Sequence, residues 1–479
     1  MSTWASRLRE ALIAAGYTYD GVAELLGRSA HDALARNETT PSLRRTTDGS
    51  PLATLVRLFL LQTVVPRPAA EAALPGLVGP LVADRLLGAS GSDVTALVDC
   101  RPYADDDRSL WVLSDLTPGL DGSPVRVGAD HVLGISPAST SLAHMTLRHP
   151  LGRSLDLGTG CGVQALHLAR HSDVVVATDV NARALWMTRL NAALNEVDTI
   201  DVRAGSLLDP VVGERFDLIA TNPPFVISPP GDARLVYRDS GLPGDEVVER
   251  IVRDAPAHLV PGGWLQVLAN WAIMRDRPWD ERLNDWVSPD HAALVVQREV
   301  LEPSAYVELW LKDAGLHGGA EYLARYDTWL SWFDEQRIEG VGFGWINVRA
   351  AAGPHTLLDH PYAVEQPVAP AIAAWGDAIG VEVRPDLVLV CRGDVQQETV
   401  GAPGAEDPDV VVLRQQRGLM RARRADTIEA ALVGACDGDL TVGQILDALA
   451  QILDRDPAEL RSAYVPVVGE LVEEGFLVA

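Results

Sequence analysis

The sequence is almost without lysine: Lys312 is the only one in 479 residues, and arginine carries nearly all of the positive charge. Positive charge is itself scarce, with 40 Lys and Arg against 66 Asp and Glu and a formal net charge of −26. Such a chain repels nucleic acid at long range, so a nucleic-acid substrate would demand a local basic patch. One candidate is LRQQRGLMRARR (413–424), for which a pair of solvated strands is the weightier reading. Cysteine is sparse too. The four (100, 161, 391 and 436) lie far apart, with no CxxC pair and no histidine in ligand spacing. That excludes a disulfide framework and a zinc site from the expectation, and no metal is expected. Long apolar runs are missing as well. LATLVRLFLLQTVV (52–65) is too short to cross a bilayer and carries Arg57, and the amphipathic start, broken by Arg7, Arg9 and Glu10, does not read as a signal peptide. The expectation is a cytoplasmic protein with no membrane partner.

What is present is a hydrophobic fraction of 47%, enough for real cores in two to four domains. Residues 1–125 read as helices followed by a hairpin, with strands TALVDCRPY (95–103) and SLWVLSDL (109–116) flanking ADDDR, a pattern compatible with a winged-helix-like module. The triple aspartate 105–107 reads as an acidic hairpin tip. Residues 126–352 alternate short apolar strands with helices, the signature of an α/β fold with a Rossmann-like parallel sheet. Two later strands, AALVVQREV (292–300) and VGFGWINVRA (341–350), bring the expected total to seven. Residues 353–479 follow Pro/Gly-rich stretches and read as a small α+β domain, again winged-helix-like, with a hairpin over VVVLRQQRGLMRA.

The chemistry concentrates at strand ends. In SLDLGTGCGVQALHLA (154–169) an apolar strand runs through Asp156, Gly158, Gly160, Cys161 and Gly162 into a helix. Glycines there let the backbone approach a nucleotide-like cofactor. A dinucleotide site uses GxGxxG, but here the spacing is GxGxG with Val163 following. Asp156 would repel a diphosphate and can hold a cationic amino group, which fits the methionine end of S-adenosylmethionine better than NAD. The next strand ends in Asp179 and Val180, where an acid accepts hydrogen bonds from two ribose hydroxyls. Ser206 and Leu207, at the end of the third, fall where an adenine would lie. The fourth strand stops in TNPPF (221–225): a Pro-Pro pair terminates a strand, and it also makes a stiff loop presenting an amide and a ring. The Asn222 oxygen and a proline carbonyl can accept both hydrogens of a planar –NH2 group while Phe225 stacks on it. That orients the nitrogen lone pair for methyl transfer without a strong general base.

DLGTGCG, TDVN and TNPPF, in this order and spacing, resemble the class I S-adenosylmethionine-dependent methyltransferases. Within them the chain is similar to the Asn-Pro-Pro-aromatic branch of release-factor glutamine and ribosomal-RNA guanine amino methyltransferases. The resemblance covers about 130–350. It extends to GISPASTSLA (134–143), which contains Thr140 and is similar to a segment closing over the cofactor, and to 237–265, where a glycine-rich turn precedes a helix and the fifth strand. It implies an enzyme whose cofactor is S-adenosylmethionine, bound by Thr140, Asp156, Gly158, Gly160, Gly162, Asp179, Val180, Ser206, Leu207 and Asn222, with Asn222, Pro223 and Phe225 catalytic. Ser206 departs from the acid many relatives carry there. The implied partner is a macromolecular substrate, foremost a protein glutamine, for instance of a translation factor. The alternative is an amino group on a ribosomal or transfer RNA base. A non-catalytic cofactor-binding regulator is a third reading, opposed by the intact TNPPF. An NAD-dependent oxidoreductase is opposed by Asp156 and the glycine spacing. Cys161 reads as a small packed residue of the turn.

Overall fold

The computed structural model describes residues 4–105, 108–123, 128, 130–224, 226–230, 242–402 and 408–479. The chain divides into two compact units: Met1–Ala143 with Arg148–Ser288 and Val295–Ala350, and His144–Leu147 with Pro289–Leu294 and Ala351–Ala479.

The centre is a mixed sheet. Its strands are β1 (Leu151–Leu157), β2 (Ser172–Asp179), β3 (Ile200–Ala204), β4 (Phe216–Thr221), β5 (Leu259–Met274), β6 (Ala292–Leu301), β7 (Ile338–Arg349) and β8 (His355–Asp359). Their order across the sheet is β3-β2-β1-β4-β5-β7-β6-β8. β1 to β5 run parallel, and β7 is antiparallel to β5 from Trp264↔Arg349 to Met274↔Ile338. Residues 154–157 and 218–221 are buried without alternation, as strands covered on both faces must be. The chain reverses direction of build between β1 and β4, and the crevice outside their carboxyl ends is where such sheets take ligands.

The expectation of seven strands is corrected to eight. β8 adds at the edge, with the Ala293 N–H donating to Pro354 O at 3.0 Å. Its sequence, HTLLD, lies between prolines and is only half-buried, so it lacks the apolar run that marks an inner strand.

In the first unit, helices Ala5–Ala14, Tyr19–Leu34, Thr40–Arg45, Pro51–Leu55, Arg67–Ala73 and Val78–Ala83 precede two hairpins. The expected one pairs Asp99–Asp105 with Arg108–Ser114; Asp106 and Asp107, at its tip, lie outside the described residues. An additional hairpin, Leu87–Ser90 with Asp93–Ala96, was not legible: its turn is Ser90-Gly91-Ser92, and its strands are only four residues long.

These helices and hairpins share one core with the sheet helices α1 (Val163–Leu168) and α2 (Ala182–Leu194), running from Trp4 to Leu194. Two asparagines a helical turn apart hold the contact. Asn191 Oδ1 accepts the Leu113 N–H (2.7 Å), and its Nδ2 donates to Leu113 O (2.8 Å) and to Cys161 O of the glycine turn (2.7 Å). Asn195, which caps the helix, does the same for Trp111, accepting its N–H at 3.0 Å and donating to its carbonyl at 2.8 Å. Two side-chain amides thus satisfy the outer edge of strand 108–114 as a neighbouring strand would.

The second unit carries the expected hairpin, Val410–Gln415 with Ala422–Ala425, among helices Thr427–Ala435, Val442–Ile452 and Pro457–Glu473. Asp426 with Glu429, and Thr441 with Gln444, form capping boxes that fix two of the helix starts. Three of the five arginines in 413–424 are engaged within this unit. Arg414 meets Glu398 (2.7 Å), Arg417 meets Glu365 (2.6 Å), and Arg423 meets Glu429, Glu470 and Glu474 at 2.8–3.0 Å. Arg421 is buried.

Candidate functional site

A cavity of about 880 Å³ opens at the carboxyl ends of β1, β2 and β4. Asp156, Gly158, Gly160, Asp179, Val180, Ser206, Leu207, Asn222 and Pro223 all line it. Residues scattered over 68 positions of chain therefore meet at one wall because parallel strands end on one side of a sheet.

The glycine turn is set by backbone geometry. Gly158 and Gly160 have φ of +75° and +56°, and a Cβ on either would meet no atom within 4 Å, so the space beside them is open. Gly162 differs. It has φ +84° and starts α1, but a Cβ there would lie 2.9 Å from Thr188 Cγ2 on α2, and it does not line the cavity. The expectation for Gly162 is corrected: it is small so that the turn can lie against a helix. Thr140 also lies off the cavity wall, to which its segment contributes Ser136–Ser139.

Asp156 is 2% exposed. Its Oδ2 accepts hydrogen bonds from Thr159 Oγ1 (2.6 Å) and the Ala165 N–H (2.9 Å), binding the start of α1 to the strand. Burial nevertheless pushes its carboxyl up to about 7; the two hydrogen bonds oppose this and nearby Asp179 adds to it. The sign is that of a group disfavoured as an anion in the folded chain: stability contributed by the protonated form is lost as pH rises toward 7. An ammonium group beside this carboxylate favours ionisation. Affinity for S-adenosylmethionine should therefore fall as pH is lowered through about 7, by up to about tenfold per unit. Calorimetric titration in buffers of different ionisation enthalpy reads both the affinity and the proton release. A flat profile with no proton released would remove Asp156 from the methionine pocket.

Asp179 ties two loops together, its Oδ2 accepting the Gly160 N–H (3.0 Å) and its Oδ1 the Asn181 N–H (2.8 Å). Val180, 72% exposed, stands at the mouth. Leu207 has φ +44°, a left-handed conformation that costs a leucine about 1 kcal/mol or more. It is held at the wall because the Gly205 N–H donates to Asp179 O (3.0 Å) and Asp209 N–H to Ser206 O (3.0 Å). Cys161 is buried as expected, and burial pushes its thiol up to about 11.

The Pro-Pro stop at the end of β4 does what a stiff loop can do. Thr221 Oγ1 donates to Leu157 O (2.7 Å), fixing the strand end to β1. Asn222 follows, with its Oδ1 buried and without a hydrogen-bond partner. Pro223 is buried and Pro224 exposed; Phe225 lies outside the described residues. Beyond it the Ile227 N–H donates to Tyr306 Oη (2.8 Å), so helix α4 (Pro303–Asp313) pins the far side of the loop. Of the expected region 237–265, residues 237–241 lie outside the described ones, and the helix is α3 (Glu246–Asp254), leading to β5.

Two residues of the site were not read from the sequence. Tyr306 is fully buried, and nothing local distinguishes it from a core aromatic. Asn270 lines the cavity from β5, and its signal was an asparagine inside the apolar run WLQVLANWAIM.

The residues present fit S-adenosylmethionine. The open space beside Gly158 and Gly160 admits a ligand backbone-close, and Gln164 Oε1 and Thr178 Oγ1 on the same wall are buried acceptors without partners. Asp156 and Asp179 place two carboxylates on that wall.

Three family models match parts of this chain. The model of the methyltransferase small domain matches residues 134–285, and two models described as domains of unknown function match 14–97 and 381–479. The chain is 39% identical over 202 residues to a release factor glutamine methyltransferase of Xylella fastidiosa, covering 39% of this chain and 71% of that protein. It is 36% identical over 176 residues to a ribosomal protein uL3 glutamine methyltransferase of Bradyrhizobium diazoefficiens, covering 34% and 51%. It is 32% identical over 134 residues to a ribosomal RNA small subunit methyltransferase C of Alcanivorax borkumensis, covering 28% and 36%.

Proposed function

Because this chain belongs to the methyltransferase small-domain family of S-adenosylmethionine-dependent methyltransferases, we propose that it methylates the side-chain amide nitrogen of a glutamine in a protein substrate. The observation that carries the reading is the buried, unpartnered Oδ1 of Asn222 on the cavity wall. A native buried acceptor without a partner calls for a donor that arrives from outside, and a planar –NH2 group supplies it.

When bound, S-adenosylmethionine supplies an electrophilic methyl group on a sulfonium. The chain's own task is orientation. Asn222 Oδ1 and the Pro223 carbonyl hold the two amide hydrogens, which turns the nitrogen lone pair out of conjugation and toward the methyl carbon. A methyl donor held there would give its methyl to this nitrogen and leave as the neutral thioether, and the nitrogen's surplus proton would pass to solvent. Asp156, Gly158 and Gly160 form the methionine pocket, Asp179 holds the ribose, and Ser206 and Leu207 flank the adenine. Phe225 stacks on the amide plane.

A protein rather than an RNA acceptor is supported on two sides. The arginines at 414, 417 and 423 are paired with acids of their own unit, which leaves them little to offer phosphate. Identity is also higher to the glutamine-modifying relatives, at 39% and 36%, than to the RNA-modifying one, at 32%. In this reading the terminal modules, both winged-helix-like, dock the substrate protein. The test is transfer of labelled methyl from S-adenosylmethionine into host lysate, half of it treated with RNase. Label in a protein band that survives RNase, at a glutamine by mass, is the expected result. Label lost with RNase would replace this reading with a base amino methyltransferase.

A further inference from the structure

We propose that Asn270 is the second half of the acceptor clamp: its side-chain amide donates a hydrogen bond to the carbonyl oxygen of the carboxamide whose nitrogen Asn222 holds. The inference rests on the glutamine reading above and extends it to a residue on a different strand.

Placement comes from the register. β4 and β5 run parallel with Thr221 opposite Val267. Asn222 therefore stands level with Leu268, and Asn270 lies two residues further toward the carboxyl edge, about 7 Å at ~3.3 Å per residue. Leu268 and Asn270 share a face of β5, and both line the cavity with Asn222. The two side chains thus belong to adjacent strands and line one cavity.

The surroundings of Asn270 leave its Nδ2, next to the Tyr306 hydroxyl, without a well-aligned partner. The other buried polar side chains of β5 are matched across the sheet: Gln266 Nε2 donates to Asn347 Oδ1 (2.9 Å) and Trp271 Nε1 to Gln297 Oε1 (3.1 Å). Asn270 faces Phe343 instead. It is 2% exposed, and its Nδ2 is buried without an aligned acceptor beside the hydroxyl of Tyr306, which itself accepts the Ile227 N–H. One wall of the cavity thus offers an acceptor without a donor, and the neighbouring strand offers a donor without an acceptor.

A primary carboxamide carries the complement of both, an –NH2 and a C=O on a single carbon. A carboxylate does not, since its second oxygen would meet Asn222 Oδ1 as acceptor against acceptor. The pair therefore selects glutamine over glutamate. A donor on the carbonyl draws the nitrogen lone pair into conjugation, so this contact cannot be the activating one. Asn270 is a positioning residue, and its effect belongs in acceptor affinity.

The test uses the full chain, methyl-labelled S-adenosylmethionine and lysate from host cells lacking this protein, with initial rates measured against lysate concentration. Asn270→Ala is expected to raise the half-saturating lysate concentration about tenfold, the effect of one lost hydrogen bond to a bound group, with a smaller change in maximal rate. Asn270→Asp keeps the shape but turns the donor into an acceptor. At saturating S-adenosylmethionine it should be worse than alanine and should recover, relative to the parent at the same pH, as pH is lowered, when the protonated carboxyl regains an O–H. Calorimetric affinity for S-adenosylmethionine should match the parent in each variant. If Asn270→Asp loses that affinity, Asn270→Ser decides: retention of a hydroxyl donor should place it between alanine and the parent, and equality with alanine overturns the proposal. Alanine at the parental half-saturation, or aspartate equal to alanine with no recovery at low pH, also overturns it. An inactive Asn222→Ala beside an unaffected Asn270→Ala sinks this inference alone. An Asn222→Ala at the parental rate sinks the glutamine reading and this one with it.

Discussion

Replacing Asn222 with alanine should lower methyl transfer by about 10²–10³-fold and leave the affinity for S-adenosylmethionine within about twofold of the parent. The magnitude is that of removing one preorganised hydrogen-bonding group from a reacting centre. It is large because an amide nitrogen is a poor nucleophile until its lone pair is rotated out of conjugation. Nothing else at the end of β4 can substitute. Thr221 Oγ1 is committed to Leu157 O, and Pro223 and Pro224 have no side-chain acceptor. Stability should hold or rise slightly, since the variant deletes a buried oxygen that has no partner. Single-turnover transfer and calorimetric cofactor binding, measured on one preparation, separate the two effects. A variant that keeps parental turnover would refute the proposed role. Asp179→Ala should show the reverse pattern. It loses cofactor affinity first, because Asp179 both lines the cavity and holds the Gly160 and Asn181 N–H groups.

The largest effect on stability is expected from Asn191→Ala. This side chain makes hydrogen bonds to Leu113 N, Leu113 O and Cys161 O, and it is fully buried. Alanine leaves three backbone groups without partners in a place water does not reach, at about 1–3 kcal/mol each for groups left unsatisfied. A total of about 3 kcal/mol or more would remove a large part of an ordinary domain's stability. Urea denaturation followed by tryptophan fluorescence reports it, because Trp111 sits on the strand that Asn191 and Asn195 hold. Cofactor affinity should fall as well, since the Cys161 carbonyl belongs to the glycine turn. A loss below about 1 kcal/mol would mean that the strand edge finds other partners.

The sheet was legible because inner parallel strands announce themselves. LDL, VVVATD and FDLIAT are largely apolar, and each contains or leads into a polar residue that a buried strand would not keep without cause. The same logic located Asp156, Asp179 and Asn222. It failed where cause and effect are far apart in sequence. The partners of Arg423 could not be read locally, because Glu470 and Glu474 lie 47 and 51 residues on. The roles of Asn191 and Asn195 were not read from the sequence, since the strand edge they satisfy is about 80 residues upstream. Gly162 was grouped with Gly158 and Gly160 by spacing, although packing against Thr188 sets it apart. Tyr306 carries no local pattern, and Asn270 only that of a polar residue in an apolar run; the register of β4 against β5 and the reach of α4 bring them to the Asn222 loop.

The two asparagines of α2 also govern how portable the amino-terminal module is. A module joined by apolar packing alone can be grafted onto any scaffold with a patch of similar shape. This one ends in an open strand edge whose exposed N–H and C=O groups require amides at two positions one helical turn apart. Transplanted to a methyltransferase with alanine or leucine at those positions, it would present an unpaired edge able to recruit a strand from another chain. Chimeras of the module should therefore stay monodisperse only when the recipient helix carries both asparagines.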